Sequence, residues 1–149
     1  MVDQVEKSVI LRAPIDRVWQ ALSDAGQFGQ WFGVKLDGAF APGQTARGNI
    51  TNPGYEHLEM EVKVVRMERP RLFSFTWHPF AVDPKVDYSG ETPTLVEFTL
   101  EAMSPGETRL RVVESGFASL PEHRRAEALL RNEGGWAAQM TNIKAYVEP

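Results

Sequence analysis

The segment LFSFTW, Leu72–Trp77, alternates large apolar side chains with small polar ones. Phe73, Phe75 and Trp77 lie on one face of an extended chain, and Ser74 and Thr76 lie on the other. This alternation predicts a strand of an antiparallel sheet, with one face on a core and the other toward water. The same period marks three further segments: MEVKVVRM at 60–67, LVEFTLEA at 95–102 and TRLRVVES at 108–115.

Turn-forming residues separate these strands. Ala41–Gln44 and Ser104–Glu107 each place proline before glycine, as a type II turn requires, and Asn52-Pro53-Gly54 is a third break. The segment from His78 to Pro93 has four further proline or glycine residues and no sustained period. A loop of this length in a compact domain is either a functional flap or a surface connection, and we favour the surface connection.

The chain begins with a strand and two short helices. Val5, Val9 and Leu11 alternate with polar residues and predict a strand. The segment APIDRVWQALSDAGQFGQWF at 13–32 then has apolar residues at helical spacing, with Pro14 suited to the first turn. Asp24 followed by Gln27 resembles a capping box and predicts the start of the second helix.

A long helix closes the chain. Ser119 and Glu122 fit a capping box, and Pro121 suits the first turn. Gly134-Gly135 in its middle either kinks the helix or lets it approach the sheet closely. Its predicted apolar stripe comprises Ala126, Leu129, Leu130, Trp136, Ala137, Met140, Ile143 and Val147. This order of elements predicts an α+β fold in which a curved antiparallel sheet wraps around the terminal helix.

Length and composition exclude several classes of protein. A chain of 149 residues is expected to form one domain, residues 1–149. Its net charge of -4 argues against nucleic acid as a partner, and the absence of cysteine excludes disulfides and cysteine metal sites. No apolar segment approaches the length of a membrane span, and the first residues lack the core of a signal peptide. We therefore expect a cytoplasmic protein with no membrane span.

The order of elements and five local signatures resemble one known family. The chain looks like the domain of the activator of heat-shock protein 90 ATPase homologues (AHSA-like), within the START-like, helix-grip (SRPBCC) superfamily. The signatures that carry this resemblance are Pro14 to Trp31 with Val18, Trp19, Ala21 and Leu22; Pro70–Trp77; Thr94–Leu100; Thr108-Arg109-Leu110 leading into Glu114–Phe117; and Gly135-Trp136.

The resemblance implies a cavity between helix and sheet that holds a lipid, a steroid or a polyketide. It also implies a chaperone partner and a place in the stress response. Eukaryotic activators carry a separate N-terminal domain, and we find no residues for one here, so we expect no appreciable stimulation of the chaperone ATPase. We expect no cofactor, and a monomer or a homodimer.

The sequence contains no catalytic constellation. His57, His78 and His123 form no metal-binding pair, and no nucleophile elbow or phosphate-binding glycine motif is present. Glu97 and Glu101 alternate with apolar residues and are expected to point outward. Glu114, near the end of its strand, fits either an inward or an outward direction. We therefore expect no catalytic residue and no metal ligand.

The aromatic residues are the remaining candidates for a site. Their faces are predicted to converge between sheet and helix, where a curved sheet around one helix is hard to fill completely. We expect the entrance near His78 and Tyr88 in the long loop. The predicted ligand-binding residues are Trp31, Phe32, Phe73, Phe75, Trp77, Phe98, Trp136 and Met140.

Three functions follow from this interpretation. The first is binding of a small hydrophobic molecule, which an apolar cavity open at one end would favour. The second is a protein-interaction module acting on a chaperone, which a large exposed patch over a sealed interior would favour. The third is a cavity-based cyclase or hydrolase, for which a buried carboxylate or histidine with a perturbed pKa would be the sign.

Overall fold

A computed structural model describes residues 3–83 and 85–149. Within these residues the chain has seven strands, three α-helices and one short 3-10 helix. Their order and bounds are β1 (Gln4–Leu11), α1 (Ile15–Ser23), α2 (Ala25–Phe32), β2 (Val34–Asp37), β3 (Thr45–Ile50), β4 (Glu59–Glu68), β5 (Leu72–Trp77), β6 (Thr94–Ser104), β7 (Glu107–Ser115), the 3-10 helix Phe117–Ser119 and α3 (Glu122–Val147).

The seven strands form one curved antiparallel sheet in the order β1-β7-β6-β5-β4-β3-β2. Strands β2 to β7 are a meander, in which each strand pairs with the next one along the chain. Helices α1 and α2 carry the chain from β1 at one edge to β2 at the other. The sheet therefore has its N-terminal strand beside its last one.

The short helices are bounded as their local sequence requires. The Asp24 carboxylate accepts a hydrogen bond from the backbone N–H of Gln27 at 3.1 Å, which confirms the predicted cap of α2. Gly33 ends that helix with φ at +94°, a conformation that glycine adopts at little cost. Pro14 is the N-cap of α1 and not its first residue, so the helix begins at Ile15, one residue later than predicted.

The inward faces of the central strands form an aromatic core. Phe73, Phe75 and Phe98 are completely buried, and Phe73 and Phe98 stack across β5 and β6 with ring centroids 6.2 Å apart. Phe28 of α2 meets Phe75 edge-on at 6.2 Å, which joins the short helices to the sheet. The inward face predicted from the sequence is thus confirmed for these phenylalanines, whereas Ser74, predicted to face water, is only 1% exposed.

Helix α3 buries a narrower stripe than predicted. Trp136, Met140, Ile143 and Val147 are buried at intervals of three and four residues, and Ala128 is buried about two turns further toward the N-terminus of the helix. The predictions for Ala126, Leu130 and Ala137 were wrong, because these positions face water; Leu130 is 67% exposed.

Two details of α3 also differ from the prediction. The N-cap is Pro121 and has no side-chain hydrogen bond, because Ser119 lies in the preceding 3-10 helix. The glycine pair neither interrupts the helix nor lies close to the sheet. A Cβ atom on Gly134 or Gly135 would meet nothing within 4 Å outside the adjacent turns of its own helix.

Two arginines of α3 contact the loop from His78 to Pro93: Arg131 lies over the Phe80 ring, 5.6 Å from its centroid, and Arg124 makes the polar contacts. The Arg124 guanidinium donates to the carbonyl oxygens of Phe80 at 2.8 Å and Pro79 at 3.0 Å, and pairs with Glu91 at 2.7 Å. Both side chains of this ion pair are largely buried, with 11% and 13% of their surface exposed. The Arg124 guanidinium also lies over the Tyr88 ring, 4.6 Å from its centroid.

These elements confirm the predicted fold class. The protein is an α+β fold of the helix-grip type, in which a long terminal helix packs on a curved antiparallel sheet. Within residues 3–83 and 85–149, no helix is long and apolar enough to cross a membrane.

Candidate functional site

A small cavity lies where the end of β5 meets α2 and α3. Its volume is about 180 Å³. Three of its walls are aromatic, and the others carry two side-chain amides and a glycine. The residues that line it are Phe32, Trp77, Asn132, Gly135, Trp136 and Gln139.

The aromatic walls contact one another in a fixed geometry. Trp77 is the last residue of β5 and Trp136 projects from α3, and their rings stack with centroids 5.6 Å apart and planes 29° apart. Phe32, at the end of α2, meets both rings edge-on at 6.0 and 6.1 Å. Such aromatic contacts are favourable beyond their buried area, so the walls reinforce one another.

A completely buried carboxylate lies behind these walls. Glu114 of β7 has no exposed surface. Its Oε1 accepts hydrogen bonds from Trp136 Nε1 at 2.9 Å and Asn132 Nδ2 at 2.7 Å. Its Oε2 accepts from Trp77 Nε1 at 2.7 Å and from the hydroxyl of Thr94. Each oxygen thus has two donors.

These four donors compensate the burial of the carboxylate without a counter-ion. Burying a charge is costly unless hydrogen bonds replace its hydration. No lysine, arginine or histidine nitrogen in the described part of the chain lies within 4.0 Å of the Glu114 oxygens. Because both indole N–H groups donate to Glu114, which does not line the cavity, they point away from the cavity and the rings present carbon to it.

Strand alternation explains the direction of Glu114. Leu110 and Val112 are buried at alternate positions of β7, and Glu114 takes the next inward position. The sequence left its direction open, although the run Leu110, Val112, Glu114 contained this signal. The polarity of Glu114, at the end of an apolar face, instead favoured an outward direction.

The chemistry of the cavity follows from these contacts. Glu114 does not line the cavity, and its acceptor positions are occupied. Gln139 is also engaged, because its Nε2 donates to the carbonyl of Phe32 at 2.9 Å and its Oε1 accepts from Asn142 Nδ2 at 3.0 Å. The arrangement can hold a flat apolar group; it places no free nucleophile or base against it within the described residues.

A wider groove of about 630 Å³ adjoins the cavity. Phe32, Gly135 and Gln139 line both. The groove runs between the end of α2, the segment after β3 and the C-terminal half of α3. Its other lining residues are Gln30, Trp31, Gly33, Thr51, Asn52, Ala138, Asn142, Ala145 and Tyr146.

The structure brings three of the eight predicted ligand-binding residues together at the cavity: Phe32, Trp77 and Trp136. Trp31 lines the groove instead, and its Nε1 donates to the carbonyl of Ala21 at 2.8 Å. The other four, Phe73, Phe75, Phe98 and Met140, are packed in the core and line neither space.

The two residues predicted at the entrance lie in the loop held by Arg124, and neither lines the cavity or the groove. The Tyr88 hydroxyl accepts from the backbone N–H of Asp83 at 3.2 Å. Nδ1 of His78 is buried and has no hydrogen-bond partner among the described residues. Hydrogen bonds from Ser89 hold the pKa of the Asp87 carboxyl below its ordinary value.

Within the described ranges, no group of three or more histidine, aspartate and glutamate side chains is arranged to hold a metal ion.

Solved structures of low sequence identity share this architecture. MLL2253 from Mesorhizobium loti is 25% identical with a TM-score of 0.73, over 96% of this chain and 95% of that one. The Aha1 dimer from Colwellia psychrerythraea is 18% identical with a TM-score of 0.73, over 99% of this chain and 97% of that one. DynU16, from the dynemicin biosynthetic locus, is 23% identical with a TM-score of 0.73 over 98% of this chain, which spans 47% of DynU16.

The comparison with curated proteins found no match. The sequence profile of one family, described as "Activator of Hsp90 ATPase homolog 1-like protein", matches residues 12–148. This match begins directly after β1, extends through α3 and includes every residue of the cavity and of the Glu114 cluster. The chain belongs to the Activator of Hsp90 ATPase homolog 1-like protein family.

Proposed function

We propose that this protein binds a small, mostly apolar molecule through one planar ring in the cavity between Trp77, Trp136 and Phe32. The observation that carries the proposal is the pair of stacked indoles whose N–H groups are both held by Glu114. Their orientation is set by the protein itself, so a ligand need not order them. Preorganisation of this kind reduces the entropy lost on binding.

The size of the cavity limits the group it can hold. An apolar cavity of about 150 Å³ accommodates one benzene molecule. The present cavity, at about 180 Å³, therefore fits one six-membered ring with a small substituent. It is smaller than the ~300 Å³ at which pockets for drug-sized ligands begin, so a larger ligand must extend into the groove.

The contacts of Glu114 favour binding over catalysis. A general base must reach the proton it removes, at hydrogen-bond distance. Glu114 already accepts four hydrogen bonds and lies behind the indole rings rather than beside the cavity. It acts as a positioning residue for Trp77 and Trp136.

Titration with 4-fluorophenol, followed by fluorine NMR and tryptophan fluorescence, tests the proposal. We expect saturable binding with a dissociation constant of about 1 mM or tighter. Gly135→Leu places a side chain in the cavity and should weaken binding at least tenfold. Gly134→Leu is the matched control, because Gly134 lies in open space but lines neither cavity nor groove. Absence of saturable binding to the unmodified protein would refute the proposal.

The family description favours a second candidate, action on an Hsp90-type ATPase. A coupled ATPase assay with the purified protein at micromolar concentration tests it. Stimulation of several-fold would support this candidate. Stimulation that survives in Gly135→Leu would further separate it from occupancy of the cavity.

A further inference from the structure

The groove continues the cavity toward solvent. Phe32, Gly135 and Gln139 belong to both, so a molecule with its ring between the indoles has a path past these three residues into the groove. The groove has more than three times the volume of the cavity, about 630 against about 180 Å³. A ligand that fills both spaces has a small head and a larger tail.

The groove differs from the cavity in chemistry. None of its twelve lining residues carries a charge at neutral pH. Six of them present amide or hydroxyl groups: Gln30, Thr51, Asn52, Gln139, Asn142 and Tyr146. Amides donate and accept, and a hydroxyl does both, so the surface suits a partner with both kinds of group.

Three of these polar side chains are free to bind a ligand. Gln30, Thr51 and Asn52 are exposed, and none makes a side-chain hydrogen bond within residues 3–83 and 85–149. The Arg17 guanidinium lies over the ring of the groove residue Tyr146, 4.9 Å from its centroid, and is already engaged, because it donates to Gln27 Oε1 at 2.8 Å. The groove thus offers neutral hydrogen bonds without a competing ion pair.

We propose that the groove is a second subsite for an uncharged tail rich in hydroxyl or amide groups, so that the ligand is an amphiphile with a single-ring head and a neutral hydrogen-bonding tail. This inference rests on the proposed function of the cavity. A charged tail would lose hydration against a surface without a counter-ion. A purely apolar tail would cover amide groups and leave them unpaired.

Four fluorinated probes that differ only beyond the ring test the inference. They are 4-fluorophenol, 4-fluorophenyl β-D-glucoside, 4-fluorophenyl phosphate and 4-fluorobenzylamine. We expect the glucoside to bind about tenfold more tightly than the phenol, which corresponds to about 1.4 kcal/mol and to one or two neutral hydrogen bonds. We expect the phosphate and the amine to gain less than twofold over the phenol.

Substitutions in the groove locate the gain. Thr51→Val and Asn52→Ala should each reduce affinity for the glucoside about threefold and leave affinity for 4-fluorophenol unchanged. Thr99→Val is the matched control, because Thr99 is an exposed residue of β6 that does not line the groove. It should leave both affinities unchanged.

The outcomes separate the two proposals. If 4-fluorophenol does not bind, the cavity proposal fails and the subsite proposal fails with it. If 4-fluorophenol binds but the glucoside binds no more tightly, or a charged probe binds most tightly, only the subsite proposal is overturned. A glucoside gain that persists in both Thr51→Val and Asn52→Ala also overturns it.

Discussion

Trp77 and Trp136, from strand β5 and helix α3, stack with ring centroids 5.6 Å apart and donate their indole N–H groups to different oxygens of Glu114. Three elements distant in sequence are therefore joined at one buried carboxylate. Stacking alone leaves two rings free to slide, whereas the two hydrogen bonds fix each ring in its own plane. The cavity wall is accordingly a property of Glu114 as much as of the tryptophans.

Replacing Glu114 with glutamine should destabilise the protein by about 2–4 kcal/mol. The two indole N–H groups donate to different oxygens of Glu114, whereas a glutamine side chain has one accepting oxygen and one donating NH₂ group. In either amide orientation, one indole loses its acceptor. We expect one indole N–H resonance to shift by NMR and the urea midpoint to fall. Glu101→Gln, at an exposed position of β6, is the control and should cost less than about 1 kcal/mol.

The loss of unfolding free energy on truncating Trp136 should show how deeply this residue of the stacked pair is buried. Trp136 is 2% exposed, and Trp136→Ala should cost about 3–5 kcal/mol because it leaves a cavity and removes a donor from Glu114. Leu130→Ala is the control on the same helix, because Leu130 is 67% exposed and should cost less than about 0.5 kcal/mol. Chemical denaturation measures both, and equal losses would contradict the burial described for α3.

The sequence predicted the sheet, the helices and three of the cavity residues, because alternation and helical spacing report which face is buried. It did not separate a packed aromatic from one beside a cavity. Phe73 and Phe98 lie at alternate strand positions, as Trp77 does, but neighbouring rings pack against them and leave no cavity. That difference depends on how helices and strands pack in three dimensions, and the alternation within one strand carries no information about this packing.

The Glu114 cluster is a second feature that the sequence alone did not predict, in this case among polar groups. Its donors come from four positions spread over 60 residues, from Trp77 to Trp136 with Thr94 and Asn132 between them. A local pattern cannot show that such positions meet. Only the register of β5, β6 and β7 and the placement of α3 bring them to one carboxylate.

The two glycines of α3 should be replaceable without loss of stability. An alanine Cβ at Gly134 or Gly135 meets no atom outside the adjacent turns of the helix. Because alanine favours a helix by about 1 kcal/mol over glycine, each substitution should raise the melting temperature. A fall in melting temperature for Gly135→Ala would contradict the open space described beside the cavity.

Acid should weaken one contact between the chain ends. The Glu148 carboxylate accepts one hydrogen bond from Lys144 Nζ and another from the backbone N–H of Arg12, and these lower its pKa from 4.5 to about 2. The unfolded chain takes up this proton at higher pH than the folded one, so the stabilisation is complete above about pH 4.5 and is lost as pH falls toward about 2. Glu148→Gln should flatten the pH dependence of the melting temperature in that window, and Lys144→Met should do so too. An unchanged slope in both variants would contradict this assignment.

Release of the loop from His78 to Pro93 distinguishes two routes into the cavity. Arg124→Met removes the ion pair with Glu91 and the hydrogen bonds to the carbonyls of Pro79 and Phe80. We expect a loss of about 2–4 kcal/mol, because breaking a largely buried pair leaves the other charge uncompensated. Amide hydrogen exchange should accelerate in the loop more than in β5 and β6.

The same variant tests where the ligand enters. If the ligand enters through the groove, Arg124→Met should leave the dissociation rate of 4-fluorophenol unchanged within about twofold, because none of the described residues of the loop lines either space. An entrance at His78 and Tyr88 instead predicts faster dissociation once the loop is released. Arg109→Met is the matched control, since the Arg109 side chain is 48% exposed and pairs with Glu101 of β6. Fluorine NMR line shapes measure the rate, and acceleration confined to Arg124→Met would place the entrance at the loop.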